Sequence, residues 1–181
     1  MREMTLLTML LLGGCASAVP PPAPLLGVVR LGAATSPIAT SVSVPTGSRL
    51  VYISGTVPDA ADPAAPEGSI ARYGDTFTQT RSVLAKIDVA LRDQGMSLSD
   101  VVMMRVFLVA PPGQARMDFA GMMRAYSQAF ATATQPEKPA RSTMQVAGLV
   151  NPGWLAEIEV TAARDARHDG PIIPTGDRAA R

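Results

Sequence analysis

The stretch Pro139-Ala-Arg-Ser-Thr-Met-Gln-Val-Ala-Gly-Leu-Val-Asn-Pro-Gly-Trp-Leu-Ala-Glu-Ile-Glu-Val-Thr161 decides how the chain is read. Ser142, Met144 and Val146 alternate with Arg141, Thr143 and Gln145; after a break at Asn151-Pro152-Gly153, Trp154, Ala156, Ile158 and Val160 alternate with Glu157 and Glu159. Alternation of this kind marks strands whose successive side chains point to opposite faces. The pattern predicts a hairpin, with Arg141 and Thr143 on one face of the first strand and both glutamates on one face of the second. Period two assigns faces but not register, so whether Arg141 meets either glutamate stays open.

Upstream, Val101-Val-Met-Met-Arg-Val-Phe-Leu-Val109 is a nearly continuous apolar run ended by Pro111-Pro112-Gly113, which predicts a central strand buried on both faces. Two helices flank it. Asp75 caps the first, which runs to about Gln94 and stops at Gly95 with Phe77, Val83, Leu84, Ile87 and Leu91 on one stripe. The second spans Met117 to Phe130, with Phe119, Met122, Met123, Tyr126 and Phe130 at helical spacing, a stripe read as core filling rather than a pocket lining. Shorter β-like runs precede them at Leu26–Leu31, Val42–Val44 and Leu50–Gly55, while Pro58–Gly68 is a loop and Thr132–Lys138 a connection. The order predicts an α+β layer: a mixed six-stranded sheet with two helices packed on one face. Its other face is left bare unless a second copy covers it, so homo-oligomerisation is expected.

The chain begins with Arg2, an apolar run from Met4 to Leu12, and Gly13-Gly14-Cys15-Ala16-Ser17-Ala18. Residues 1–18 read as a secretory leader, the run being far shorter than the ~20 residues that span a bilayer. Leu12 to Cys15 resembles a bacterial lipobox, which would make Cys15 a lipid anchor, whereas Ala16-Ser17-Ala18 fits an ordinary cleavage site. The expected location is therefore exported and periplasmic, either soluble or lipid-anchored. A Pro-rich tether follows at 19–27, the globular domain occupies 28–163, and 164–181 reads as a flexible tail.

Composition removes several function classes. One histidine, His168, falls in the tail and one cysteine, Cys15, in the leader, so neither a metal centre nor a His-based triad is expected. No Gly-rich phosphate loop signals a nucleotide cofactor. A net charge of +1 and an aromatic content of 4% argue against nucleic acid as a partner. What remains is a guanidinium near carboxylates. Arg141 is suited to clamp a substrate carboxylate and a glutamate to handle a water, although on spacing alone a structural Arg–Glu pair on a sheet surface is the better account.

Pro139-Ala-Arg-Ser-Thr followed by Glu157-Ile-Glu159 resembles the signature of the RidA (YjgF/YER057c) family. Tyr52-Ile-Ser-Gly55, Gln79-Thr-Arg, Ser99-Asp-Val-Val and Asp118-Phe-Ala with Tyr126 fall in that family's order, so the resemblance covers roughly residues 36–163. It implies a chorismate-mutase-like α+β domain assembled as a homotrimer, with ligand sites in clefts between subunits. It also implies hydrolysis, without cofactor, of reactive enamine/imine intermediates such as 2-aminoacrylate to a 2-keto acid and ammonia. Carried over by position, Arg141 is the carboxylate-binding arginine, Glu157 the glutamate of the catalytic water, and Gly55 and Thr143 line the pocket; Glu159 is left structural. A tyrosine common near the domain start is Ile38 here, and a pocket asparagine is Met123. Both changes predict a more apolar pocket and a substrate other than aminoacrylate, with Trp154 a further candidate for its wall.

Overall fold

The computed structural model describes residues 27–165. The leader with Cys15, the tether apart from Gly27, and the chain beyond Asp165 lie outside the described residues, so the expectations placed there are not addressed. Six strands and three helices follow in the order β1 (Val29–Leu31), β2 (Ser41–Ser43), β3 (Arg49–Thr56), α1 (Ile70–Tyr73), α2 (Thr76–Asp93), β4 (Val101–Leu108), α3 (Phe119–Ala129), β5 (Ala140–Gln145) and β6 (Ala156–Arg164). The α+β class and the six strands are as the sequence predicts. Their pairing is not: β3-β6-β4-β5 form a four-stranded sheet and β1-β2 a separate antiparallel pair. A single bridge, Ala39 to Ala140, ties the segment after β1 to the outer edge of β5.

The predicted β5–β6 hairpin is corrected by this order. β5 runs parallel to β4, with Met104 opposite Arg141 and Val106 opposite Thr143. β6 runs antiparallel to β4 on its other side, with Arg105 opposite Glu159 and Phe107 opposite Glu157. A parallel neighbour needs a crossover, and α3 supplies it between β4 and β5. The long link from Val146 to Leu155 then lets β6 cross over and fill the gap between β3 and β4. The apolar β4 thereby has a partner on each edge.

Both long helices form for the expected reasons. The Asp75 carboxylate accepts the Thr78 amide at 2.8 Å and caps α2. Gly95, at φ 67°, takes the left-handed turn that ends it. Val83, Leu84, Ile87 and Leu91 of α2 and Met122, Tyr126 and Phe130 at α3 bury against Met104, Val106, Leu108, Ile158 and Val160 of the sheet. Each such side chain contributes about 1.5–3 kcal/mol of burial. Phe77 departs from the expected stripe: its ring lies outside the core cluster, with the Arg81 and Arg124 guanidinium carbons 5.6 and 5.0 Å from its centroid.

The opposite face of the sheet is open. β4 is buried on its helix side alone, for Arg105 is exposed and Met103 and Phe107 are half-buried. Leu50, Tyr52 and Met144 stand on the same open side, Tyr52 with 73% of its surface free. At the far end of the fold, buried Gln79 donates to the carbonyls of Gly74 and Gly153 and accepts the amide of Leu155. The turn that launches β6 is thereby anchored to the start of α2.

Candidate functional site

Arg141 lies on β5 beside Met104, so its side chain leaves the sheet on the helix side and runs under α3. There the guanidinium meets sulfur and rings. Nη2 is 3.1 Å from Met123 Sδ and Nη1 is 3.9 Å from Met122 Sδ. Its central carbon stands 4.3 Å from the Tyr126 ring centroid and 5.9 Å from that of Phe119. Tyr126 is held in place, stacked on Phe130 at 4.9 Å and donating its hydroxyl to the Pro37 carbonyl at 2.9 Å. Burial pushes that hydroxyl's pKa up to about 12, outweighing the lowering by the Arg141 charge, so the donor stays protonated.

No described carboxylate lies within 4.0 Å of Arg141. Thioethers are weak acceptors and the ring faces offer only cation–π attraction. Burial lowers the Arg141 pKa, opposed by the Tyr126 interaction, but a guanidinium remains a cation at neutral pH. Among the described residues the guanidinium thus has weak acceptors alone, and a carboxylate is the group whose geometry and charge complement it best. Thr143, two residues along the same face, has its Oγ1 shielded from solvent without a hydrogen-bond partner. These two sequence-predicted residues therefore stand together.

Glu157 and Gly55 form the other pair. β3 slips register between Ile53 and Thr56, and Gly55 sits in that irregularity beside β6. A Cβ on Gly55 would lie 2.0 Å from Glu157 Oε1, so the carboxylate occupies the space that only glycine leaves. Glu157 makes no ion pair or side-chain hydrogen bond with the described residues. Glu159 differs, because its carboxylate is held by Arg105 at 2.6 Å. Beside that pair the open face is hollowed by a depression of 220 Å³ lined by Tyr52, Ile53, Ser54, Met103 and Thr161.

The register left open by the sequence now has an answer within one protomer. Arg141 points to the helices and Glu157 to the open face, on strands separated by β4. Two strand spacings and three residues along the sheet put their backbones ~14 Å apart. One small substrate cannot touch both side chains of a single protomer.

Part of the α3 stripe does more than fill core. Met122 and Tyr126 are fully buried, yet Met123, Tyr126 and exposed Phe119 also surround Arg141. Helical spacing marked them as one face without telling which neighbour that face would meet. Ile38 packs against the core one residue from the carbonyl that Tyr126 binds. Trp154 packs edge-on against Tyr73 at 6.2 Å and is not among the side chains around Arg141. Among the described residues no group of three or more His, Cys, Asp or Glu side chains is placed to hold a metal.

A family model described as Endoribonuclease L-PSP matches residues 32–164. The chain is 37% identical over 89 residues to the RutC family protein YoaB of Escherichia coli K12, covering 49% of this chain and 70% of that protein. It is 33% identical over 132 residues to the RutC family protein PH0854 of Pyrococcus horikoshii, covering 73% and 93% of the two chains. Among solved structures it is similar to YyfB of Yersinia pestis, described as a protein of unknown function of the conserved Rid family. That likeness has a TM-score of 0.57 and 25% identity, and it covers 76% of this chain and 98% of the other.

Proposed function

The chain belongs to the RidA/YjgF family, and from that premise we propose that it is a cofactor-independent hydrolytic deaminase of reactive enamine/imine intermediates, working as a homotrimer. The observation that carries this reading is the Arg141 guanidinium, half-buried against Met122, Met123 and Tyr126 with no described carboxylate beside it. In the proposed reaction Arg141 holds the α-carboxylate of the imine. A water adds through oxygen to the imine carbon while Glu157 takes its proton. Glu157 returns that proton to the nitrogen, giving a carbinolamine. The hydroxyl proton then passes through Glu157 to the amine as the C–N bond breaks, so that ammonia leaves, the C=O bond forms and a 2-keto acid remains. The imine carbon is already electrophilic, so fixing the substrate and one water supplies much of the rate without a strong nucleophile.

Because Arg141 and Glu157 leave opposite faces of one sheet, the two act on one substrate when the Glu157 face of one protomer meets the β5 edge of another. The half-exposed Met103, Phe107 and Met144 give that face apolar surface to bury. The thioether and aromatic surroundings of Arg141, with Ile38 nearby, favour substrates bearing an apolar side chain over aminoacrylate. An endoribonuclease role, which the family description names, is the less favoured reading for a chain of net charge +1.

The test generates imines in place from several amino acids and follows keto-acid formation. Wild type should exceed the spontaneous rate, and Arg141→Ala should lose roughly a hundredfold in kcat/KM, as removal of a bidentate charged contact does. No acceleration with any substrate, or an Arg141→Ala variant as fast as wild type, would end the enzyme reading.

A second reading, a non-catalytic module that binds carboxylates, is favoured by one fact: the surroundings of Arg141 are assembled within one protomer, apart from Glu157. Carboxylate binding without turnover would support it. The leader is read as an export signal, with Cys15 its candidate lipid anchor. Cell fractionation of the full chain and Cys15→Ala tests this: a cytoplasmic signal for both contradicts export, and unchanged membrane association of the variant contradicts acylation.

A further inference from the structure

Met123 stands in an unusual chemical position. Its sulfur is 3.1 Å from Arg141 Nη2, and the side chain is partly open to solvent, whereas the neighbouring Met122 is fully buried. A site that admits a substrate carboxylate also admits a small peroxide. We propose that Met123 is an oxidative modification site that switches off anion binding at Arg141; this rests on the reading of Arg141 as a carboxylate clamp. The Met123 sulfur attacks one oxygen of hydrogen peroxide, the O–O bond breaks as the S–O bond forms, and the other oxygen leaves as hydroxide, which takes the proton of the sulfur-bound oxygen to become water. Sulfur is oxidised by two electrons and the peroxide is reduced by two. The thioether was a weak acceptor; the sulfoxide oxygen is a strong one, formed within reach of a guanidinium that has no described carboxylate partner. It occupies donors the substrate needs, and methionine sulfoxide reductases restore the thioether.

The experiment uses the full-length protein and a readout that needs no turnover, so it stands whether or not deamination is observed. Samples are treated with graded hydrogen peroxide, and peptide mass spectrometry records the oxygen added at each methionine and the rate at which phenylglyoxal modifies Arg141. Met123 should oxidise over the same doses as Met117, which is likewise half-buried, and fully buried Met122 should be spared. Oxidation should slow Arg141 modification roughly tenfold, the factor that one added charge-assisted hydrogen bond represents, and a sulfoxide reductase should reverse both changes. In Met123→Leu, compared with its own untreated sample, peroxide should leave the Arg141 rate unchanged, and Met123→Gln should slow it without peroxide. Met123 remaining a thioether while Met117 is oxidised, or Met123 sulfoxide with unaltered Arg141 reactivity, overturns the proposal.

Discussion

Two side chains, Arg141 and Glu157, owe their chemistry to what their neighbours are not. Arg141 is wrapped by thioethers and a tyrosine ring in place of carboxylates, and Glu157 occupies the volume a side chain on Gly55 would fill. The second relation yields a sharp expectation. An added methyl in Gly55→Ala must displace the Glu157 carboxylate, since 2.0 Å is far inside contact distance. That carboxylate ends a flexible side chain, so the shift costs little stability. Misplacing a reacting group by about 1 Å costs on the order of a hundredfold in rate. Steady-state kinetics and thermal melting on Gly55→Ala should therefore show kcat reduced roughly a hundredfold with Tm nearly unchanged. A large drop in Tm with activity preserved per folded molecule would contradict this placement of Glu157.

At the scale of elements, α2 rests on its cap. The Thr78 hydrogen bonds to Asp75 hold its carboxyl below the usual carboxylate range. A depressed folded pKa adds stability that is fully present above the unfolded value, near 4, and is lost as pH falls through the folded value. Asp75→Ala should cost about 1 kcal/mol at pH 7, and the gap to wild type should narrow below roughly pH 4. Urea unfolding of both proteins across that range checks it, and a gap that widened toward acid would refute the assignment. This cap, the stop at Gly95 and the strand at Val101–Leu108 were legible because local rules decide them. The β5–β6 partnership was misread for a physical reason. Alternation tells which residues share a face but not which strand lies alongside, and the parallel pairing of Arg141 with Met104 depends on a crossover through α3. The surroundings of Arg141 were hidden likewise, since Met123 on a stripe looks the same whether it meets core or a cation.

For the whole molecule, the open face and the divided site raise one question. Tyr52 at 73% exposure, the half-buried Met103 and Phe107, and the paired Arg105 and Glu159 make a surface that one protomer leaves uncovered. Arg141 lies on the other side, under α3. In the proposed homotrimer each catalytic site takes Arg141 from one protomer and Glu157 from the next, so neither variant alone retains a complete site. The decisive measurement is complementation: Arg141→Ala and Glu157→Gln proteins are assayed separately, then unfolded together, refolded as an equal mixture, and assayed again once sedimentation shows mixed assemblies. Random assortment places one intact Arg141 against one intact Glu157 at about a quarter of the interfaces, so the mixture should recover about a quarter of wild-type activity. Mixed assemblies no more active than either parent would contradict a site shared between protomers.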